Sequence, residues 1–161
     1  MAKYAVVTRE RMTSESVSAA RLSAKYLPSD VETAIENGNV VKLEGLVAGE
    51  REIYKAVTPA ADTELKAIGL VTTPEVMADE RKKNLEDFRN EAGEEITVDK
   101  LFSGDIFSLT AEGFDGTPAV GAIVELKAGT KLNAVEELTA GSTQVGTIID
   151  FVNNKYAVEV V

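Results

Sequence analysis

The chain has 161 residues, 27 acidic and 17 basic side chains, a formal net charge of −10, and neither cysteine nor histidine. Without cysteine there are no disulfides or thiolate metal sites. Without histidine the commonest general base and zinc ligand are missing as well. The acidic balance argues against non-specific nucleic-acid binding, and no apolar run is long enough to cross a bilayer. We therefore expect a non-enzymatic protein without metal or other cofactor, and without nucleic-acid or membrane partners.

Residues 1–30 follow neither the helical nor the strand period, which predicts an extended N-terminal arm that becomes ordered against something else. Residues 1–28 carry five basic and two acidic side chains, a net charge of +3 on an otherwise acidic chain. Such an arm either contacts an acidic partner or is a solvated tail. Its candidate contact residues are apolar or basic: Tyr4, Val6, Val7, Arg9, Arg11, Arg21, Leu22 and Lys25.

Residues 31–72 predict a first β-unit. Gly38 leads into a compact apolar strand at 40–43, and glycines at 45 and 49 end that strand. Residues 51–57 alternate in polarity as a half-buried strand does, and 65–71 form another apolar run.

Residues 73–95 predict a charged, partly helical insert. Thr73, Pro74 and Glu75 fit a helix start, with threonine as N-cap and proline at the first helical position. Residues 76–92 are rich in helix formers, and Gly93 suits a C-terminal stop.

Residues 96–161 predict a second β-unit. Short strands separated by glycine-rich turns are typical of a small barrel or sandwich. Asn153-Asn154 predicts a tight hairpin turn, because asparagine tolerates positive φ. The expected strands cover 105–109, 122–126, 132–136, 145–152 and 155–160.

One six-residue phrase, Gly-x-[Val/Ile]-[Val/Phe]-x-Leu, begins at Gly38, Gly104 and Gly121. The copies at Gly38 and Gly121 are each followed by a second apolar strand that contains glycine, Gly69 or Gly146. The phrase is either a generic strand after a turn or the trace of a duplication. The matched second strands favour duplication, so we predict a mainly β fold with two related small barrel or sandwich units.

The phrase at 35–43, Ile-Glu-Asn-Gly-Asn-Val-Val-Lys-Leu, followed by Ile-Gly-Leu-Val at 68–71, resembles the head-decoration, or capsid cement, proteins of tailed bacteriophages. The segments 79–83, 86–88, 91–93 and 104–109 are similar to phage structural proteins of this kind. The resemblance covers 35–161. It implies a virion structural protein that binds the outer surface of a phage capsid and stabilises capsomer contacts.

That resemblance implies the major capsid protein as partner, with a homo-oligomer on the shell as a further possibility. It places the protein on the capsid surface of the virion after synthesis in the host cytoplasm, and it makes the arm residues candidates for capsid contact.

Two other function classes stay open. A carbohydrate-binding or receptor-binding β-module on a virion or cell surface would need exposed aromatic side chains as stacking platforms. A carboxylate-dependent hydrolase would need a pair of acids such as Asp105 and Asp115 in a recognisable scaffold. The remaining acidic clusters are predicted to be solvated surface charges.

Overall fold

The computed structural model describes residues 3–76 and 85–161. These residues contain twelve β-strands and short 3-10 turns, with no α-helix among them. The prediction of a mainly β fold is confirmed. The strands are β1 (Val7–Arg11), β2 (Arg21–Tyr26), β3 (Val40–Leu46), β4 (Ile53–Val57), β5 (Ile68–Val71), β6 (Glu95–Lys100), β7 (Ile106–Leu109), β8 (Phe114–Gly116), β9 (Ile123–Glu125), β10 (Leu132–Val135), β11 (Gln144–Val152) and β12 (Lys155–Val160).

Five strands close into a small barrel in the order β2-β4-β3-β5-β6. The β2–β4 pair is parallel and the other described pairs are antiparallel. The interior is filled by small and branched side chains that are fully buried, among them Ala24, Val41, Ala56, Val71 and Val98. Closure satisfies the backbone of every strand and leaves the barrel without an edge.

The other seven strands form one sheet in the order β1-β7-β12-β11-β9-β10-β8. Its two edges are β1 and β8. A bulge interrupts β1 between Arg9 and Arg11, and β8 has only three residues. Short, bulged and charged edges discourage pairing with other chains.

Barrel and sheet share one apolar core. Val40, Ile68 and Leu70 of the barrel belong to the same buried cluster as Phe107 and Leu109 of the sheet. All five side chains are fully buried.

A polar contact joins the two parts as well. The Arg9 guanidinium lies 3.1 Å from the carboxylate of Asp99, which is completely buried on β6. The same carboxylate oxygen accepts a 2.6 Å hydrogen bond from the Thr72 hydroxyl. The barrel and the sheet are therefore halves of one folded body.

The described part of the segment 1–30, which was predicted to be an extended arm, belongs to that body. It supplies β1 at the edge of the sheet and β2 inside the barrel wall. The strand period is weak in β1 because an arginine, Arg9, takes a position that faces the barrel. In β2 the inward positions include the small Ala24 and the amphipathic Tyr26. The barrel also extends beyond 31–72 on both sides, since β2 precedes that range and β6 follows it.

The helix predicted within 73–95 falls partly on 77–84, which lie outside the described residues. In the flanking parts of this segment that the structure describes, the helical structure is limited to a 3-10 turn, Leu85–Asp87, so the predicted charged helical insert is not supported. Side-chain hydrogen bonds hold the start of this segment in place. The side-chain NH2 of Asn37 donates to the Thr73 carbonyl at 2.7 Å, and the side-chain oxygen of Asn37 accepts from the Thr73 backbone N–H at 3.1 Å. Asn90 donates to the Asn37 oxygen at 3.2 Å.

The three glycine-led phrases share one backbone geometry. Gly38, Gly104 and Gly121 have φ of +80°, +89° and +90°. Each occupies the third position of a four-residue turn closed by a backbone hydrogen bond. This is the form of a type II turn, whose third position favours glycine because a Cβ is strained at positive φ.

Each glycine also begins the same ladder, called here the glycine-led ladder. The glycine N–H donates to the carbonyl of one residue on a later strand, and that residue's N–H donates to the carbonyl of the residue after the glycine. The distances lie between 2.8 and 3.0 Å. The partners of Gly38, Gly121 and Gly104 are, in that order, Val71, Ile148 and Val160.

In the first two copies the register is the same as far as the second apolar residue, after which a bulge shifts the β9–β11 pair. Val41 lies opposite Gly69 in the β3–β5 pair, and Val124 lies opposite Gly146 in the β9–β11 pair. In the third copy Phe107 lies opposite Val158. The phrases that look alike in sequence therefore make equivalent strand pairs.

Candidate functional site

The hairpin of β11 and β12 carries exposed apolar side chains next to its turn. Its turn residues, Asn153 and Asn154, have φ of +52° and +62°. Two consecutive residues with positive φ match the type I′ turn that two-residue hairpins favour, so the predicted tight turn is confirmed. The pairs Phe151–Tyr156 and Val152–Lys155 face each other behind it.

Three aromatic rings connect this hairpin to the core. Phe114 is buried and meets Tyr156 edge-on with ring centroids 6.0 Å apart. Tyr156 in turn packs against Phe151 at 4.4 Å with the rings tilted by 34°. Phe151 is 45% exposed, and its neighbour Val152 is 56% exposed. These two ring contacts hold Phe151 in place at the surface. Edge-on and offset arrangements are the ones that aromatic pairs prefer.

We call residues 151–155 the hairpin site. Two grooves border it, and both are lined by Asn153 and Lys155. The first groove, of about 510 Å³, crosses the outer face of the sheet over a row of small side chains, Thr8, Ser108 and Ala157. The Lys155 ammonium donates to the Thr8 hydroxyl along this groove.

The second groove, of about 560 Å³, lies at the end of the sheet. Val6 and Thr110 form its sheet side, and Leu85, 48% exposed, lies opposite with Glu86. The hairpin tip is thus a ridge between two depressions that contain both apolar and polar groups.

Among the described residues that line the two grooves, acidic side chains outnumber basic ones. Glu10 and Asp150 line the first groove and Glu86 lines the second, and the basic residue in these two linings is Lys155. The chain as a whole has the same sign, with a net charge of −10.

Three of the residues predicted to contact a partner are wholly or partly covered by the rest of the protein. Val6 and Val7 are buried, and Arg9 is held by Asp99 inside the body. Their burial follows from the pairing of β1 with β7. Val6 and Val7 therefore present little surface to a partner, and the three contacts stay predictions.

The other predicted contact residues reach the surface. Arg11 is exposed on β1, while Arg21, Leu22 and Lys25 are half-buried on β2. Tyr4 is half-buried, and its ring lies 5.3 Å from the Lys3 ammonium and 5.5 Å from the Arg89 guanidinium. These residues remain candidates for contact.

The carboxylates considered for hydrolysis have structural partners. Asp105 is buried and accepts hydrogen bonds from the Thr13 amide and hydroxyl at 2.8 and 2.6 Å, and from the Phe102 amide at 3.0 Å. Asp115 lies 3.8 Å from the Lys127 ammonium at the surface. Asp105 thereby fastens the loop after β1 to the turn before β7.

Glu125 is a buried carboxylate with a complete set of donors. It accepts from the Asn133 amide and from the amide and hydroxyl of Thr139, each at 2.8 Å. Burial raises the pKa of Glu125, but the hydrogen bonds from Thr139 and Asn133 outweigh it and hold the pKa below its usual value. The charge serves to fasten the loop after β10 to β9.

Within residues 3–76 and 85–161, no group of three or more acidic side chains is arranged to hold a metal ion. The same part of the chain has no helix with the length and apolar character of a membrane span. Neither a family model, nor a curated protein, nor a solved structure matches this chain.

The sequence predicts the turn of the hairpin site but not the exposure of its apolar side chains. The turn at Asn153-Asn154 has a local signature. Exposure of Phe151 and Val152 has none, since the apolar run at 148–152 is equally typical of a buried strand. A usable signal is the strand expected at 145–152, which is the longest of those predicted within 96–161.

Proposed function

We propose that this protein is a non-enzymatic structural protein of a phage virion that binds the outer surface of the capsid and stabilises contacts between capsomers. The observation that carries the proposal is the hairpin site, whose exposed apolar residues Phe151 and Val152 are connected to the core by the ring contacts of Phe151, Tyr156 and Phe114. Rigid exposed aromatic groups are the usual anchors of protein interfaces.

The shape of the molecule supports an adhesive role. A barrel and a sheet that share one core form a stiff body, so little conformational entropy is lost when its surface docks. Arg11, Arg21, Leu22, Lys25 and Tyr4 offer additional surface contacts. The partner in this proposal is the major capsid protein, and the protein acts on the capsid surface.

We also infer that the two β-units arose from one ancestral unit. The equivalent glycine-led ladders at Gly38 and Gly121, including the glycines Gly69 and Gly146 opposite the second apolar residue, support a duplication.

The test is attachment to shells. Shells assembled from the major capsid protein of the proposed phage are mixed with the purified full-length protein and pelleted by ultracentrifugation. We expect the protein to pellet with the shells and to saturate at a fixed ratio per capsomer, and to raise the temperature at which the shells disassemble. Protein that stays in the supernatant at every concentration up to tens of micromolar would refute the proposal.

A second function, binding of a carbohydrate or other receptor, is favoured by one observation. Phe151 and Tyr156 form a partly exposed pair of rings, which is the kind of platform on which sugar faces stack. A glycan array probed with labelled full-length protein tests it. Binding to one glycan class, lost in Phe151→Ala, would replace the capsid proposal by this one.

A further inference from the structure

We infer that the hairpin site inserts into an apolar pocket of the partner protein whose rim carries lysine and arginine side chains. This inference rests on the proposed function and specifies the chemistry of the capsid surface that the protein recognises.

The shape of the hairpin indicates insertion. Successive residues of a strand face opposite sides of a sheet, so Phe151 and Val152 present apolar groups on both sides of the tip. The tip itself is narrow, because Asn153 and Asn154 close it in two residues. A narrow element with apolar groups on both faces buries both of them only inside a pocket or cleft.

The position of Phe151 is set before binding. Its ring packs on Tyr156, which contacts the buried Phe114, and its amide donates to the Asp150 carboxylate at 2.8 Å. A preorganised aromatic group loses little side-chain freedom on docking, as in interface residues that contribute most to affinity.

The charges around the hairpin tip indicate which side chains surround the partner's pocket. Of the described residues that line the two grooves, Glu10, Asp150 and Glu86 are acidic, and the basic Lys155 donates to the Thr8 hydroxyl. The described lining therefore presents more negative than positive charge to an approaching surface. Complementarity favours a partner with basic side chains at these positions and disfavours an acidic one.

The same charges argue against a second copy as the occupant. A symmetric contact places the same patch of both molecules together. It would set Glu10 and Asp150 of one copy near those of the other, on chains that each carry a net charge of −10. Like charges directly opposed in an interface are unfavourable.

The experiment measures the affinity of full-length variants for shells of the major capsid protein at low and high sodium chloride. Phe151→Ala is expected to weaken binding by at least about 30-fold, the loss typical of an interface hot spot. The matched control is Phe102→Ala, which removes a 41% exposed ring near the other end of β12 and should change the affinity less than about twofold.

Charge variants test the rim. Asp150→Asn combined with Glu10→Gln is expected to weaken binding by roughly three- to tenfold at low salt and to flatten its salt dependence. Asp62→Asn, on an exposed barrel loop, is the control and should leave both unchanged. Thermal unfolding of every variant verifies that the body remains folded.

The possible failures are distinguishable. Wild-type protein that does not bind shells at all overturns the proposed function and this inference together. Wild-type binding that is unaffected by Phe151→Ala, or that strengthens with salt, overturns only the inference. A wild-type dimer in analytical ultracentrifugation that Phe151→Ala dissociates would assign the hairpin to a second copy and would equally overturn it.

Discussion

The barrel and the seven-stranded sheet use the same glycine-led ladder in different surroundings. In the barrel the ladder of Gly38 joins β3 to β5, and β4 and β6 complete a closed ring. In the sheet the ladders of Gly121 and Gly104 lie side by side, because β11 and β12 pair with each other. The six-residue phrase thus specifies a strand pair in both halves. The strands beside that pair determine whether it becomes part of a closed barrel or of an open sheet.

The difference also separates the roles of the two halves. Closure leaves the barrel with no unpaired strand edge. The open sheet can lengthen one hairpin beyond its core, and this hairpin carries Phe151 and Val152 to the surface. The repeated element gives stability in one half and a binding feature in the other.

The largest expected effect comes from adding one methyl group at Gly38. Gly38→Ala forces a Cβ into positive φ and places it 2.3 Å from the Leu109 side chain, where barrel and sheet meet. Backbone strain and overpacking together should lower the free energy of unfolding by about 3 kcal/mol. Urea denaturation measures the change.

The equivalent glycines in the sheet are the controls. Gly104 and Gly121 have similar φ, but a Cβ there would meet no atom within 4 Å. Gly104→Ala and Gly121→Ala should therefore cost only the backbone strain, about 1 kcal/mol each. Equal losses in all three variants would mean that Gly38 is not a contact point between the halves.

A smaller loss is expected when the ion pair between the halves is broken. Arg9→Met leaves the completely buried Asp99 without its cation, and should lower the free energy of unfolding by about 2 kcal/mol. The cost stays below that of a fully enclosed pair because the Arg9 side chain is 25% exposed. Denaturation followed by two probes, circular dichroism and tyrosine fluorescence, measures it.

The next arginine on the same strand serves as its comparison. Arg11 is exposed, so Arg11→Met should change stability by less than about 0.5 kcal/mol. If Arg9→Met were equally mild, the contact between β1 and the barrel would contribute little to holding the halves together.

The smallest effect concerns a position where the copies differ. Glu125 follows Val124 in the sheet ladder, where the barrel ladder has Lys42. Because the folded-state pKa of Glu125 is lowered, its stabilisation is present above the unfolded value of about 4.3 and is lost as pH falls through the folded pKa. Glu125→Gln should cost about 1 kcal/mol near pH 7.

The difference between wild type and Glu125→Gln should therefore shrink as pH falls from 6 to 3, which urea titrations at several pH values measure. Glu136→Gln, at an exposed position of the same half, should track the wild type throughout. A gap between wild type and Glu125→Gln that widens in acid would contradict the lowered pKa.

Features with local causes could be predicted from the sequence. The mainly β class follows from short apolar runs between glycine turns, and the Asn153-Asn154 turn follows from the tolerance of asparagine for positive φ. The glycine-led phrase predicted equivalent strand pairs, because its six residues contain both the glycine of a type II turn and the apolar strand that follows the turn.

Features that depend on distant partners could not. β1 carries its charge inward at Arg9 only because Asp99 lies opposite it on β6, and no local pattern reveals this. The sequence of β2 shows no clear alternation of apolar and polar residues, because the narrow barrel takes a small residue, Ala24, at an inward position where a large apolar side chain would mark a strand. For the candidate site, the apolar run at 148–152 was visible, but its exposure depends on where the core of the sheet ends.

The pairing of β1 with β7 has a consequence for synthesis. The Val6 amide donates to the Thr110 hydroxyl 104 residues later, and the Thr13 amide donates to Asp105 92 residues later. Val6 and Thr13 therefore leave the ribosome long before these partners and can pair with them only after the intervening chain has emerged. Contacts between such distant segments make folding slow, so the nascent chain spends a period with Val6, Val7 and the β7 edge uncovered, when chaperone binding would protect it most.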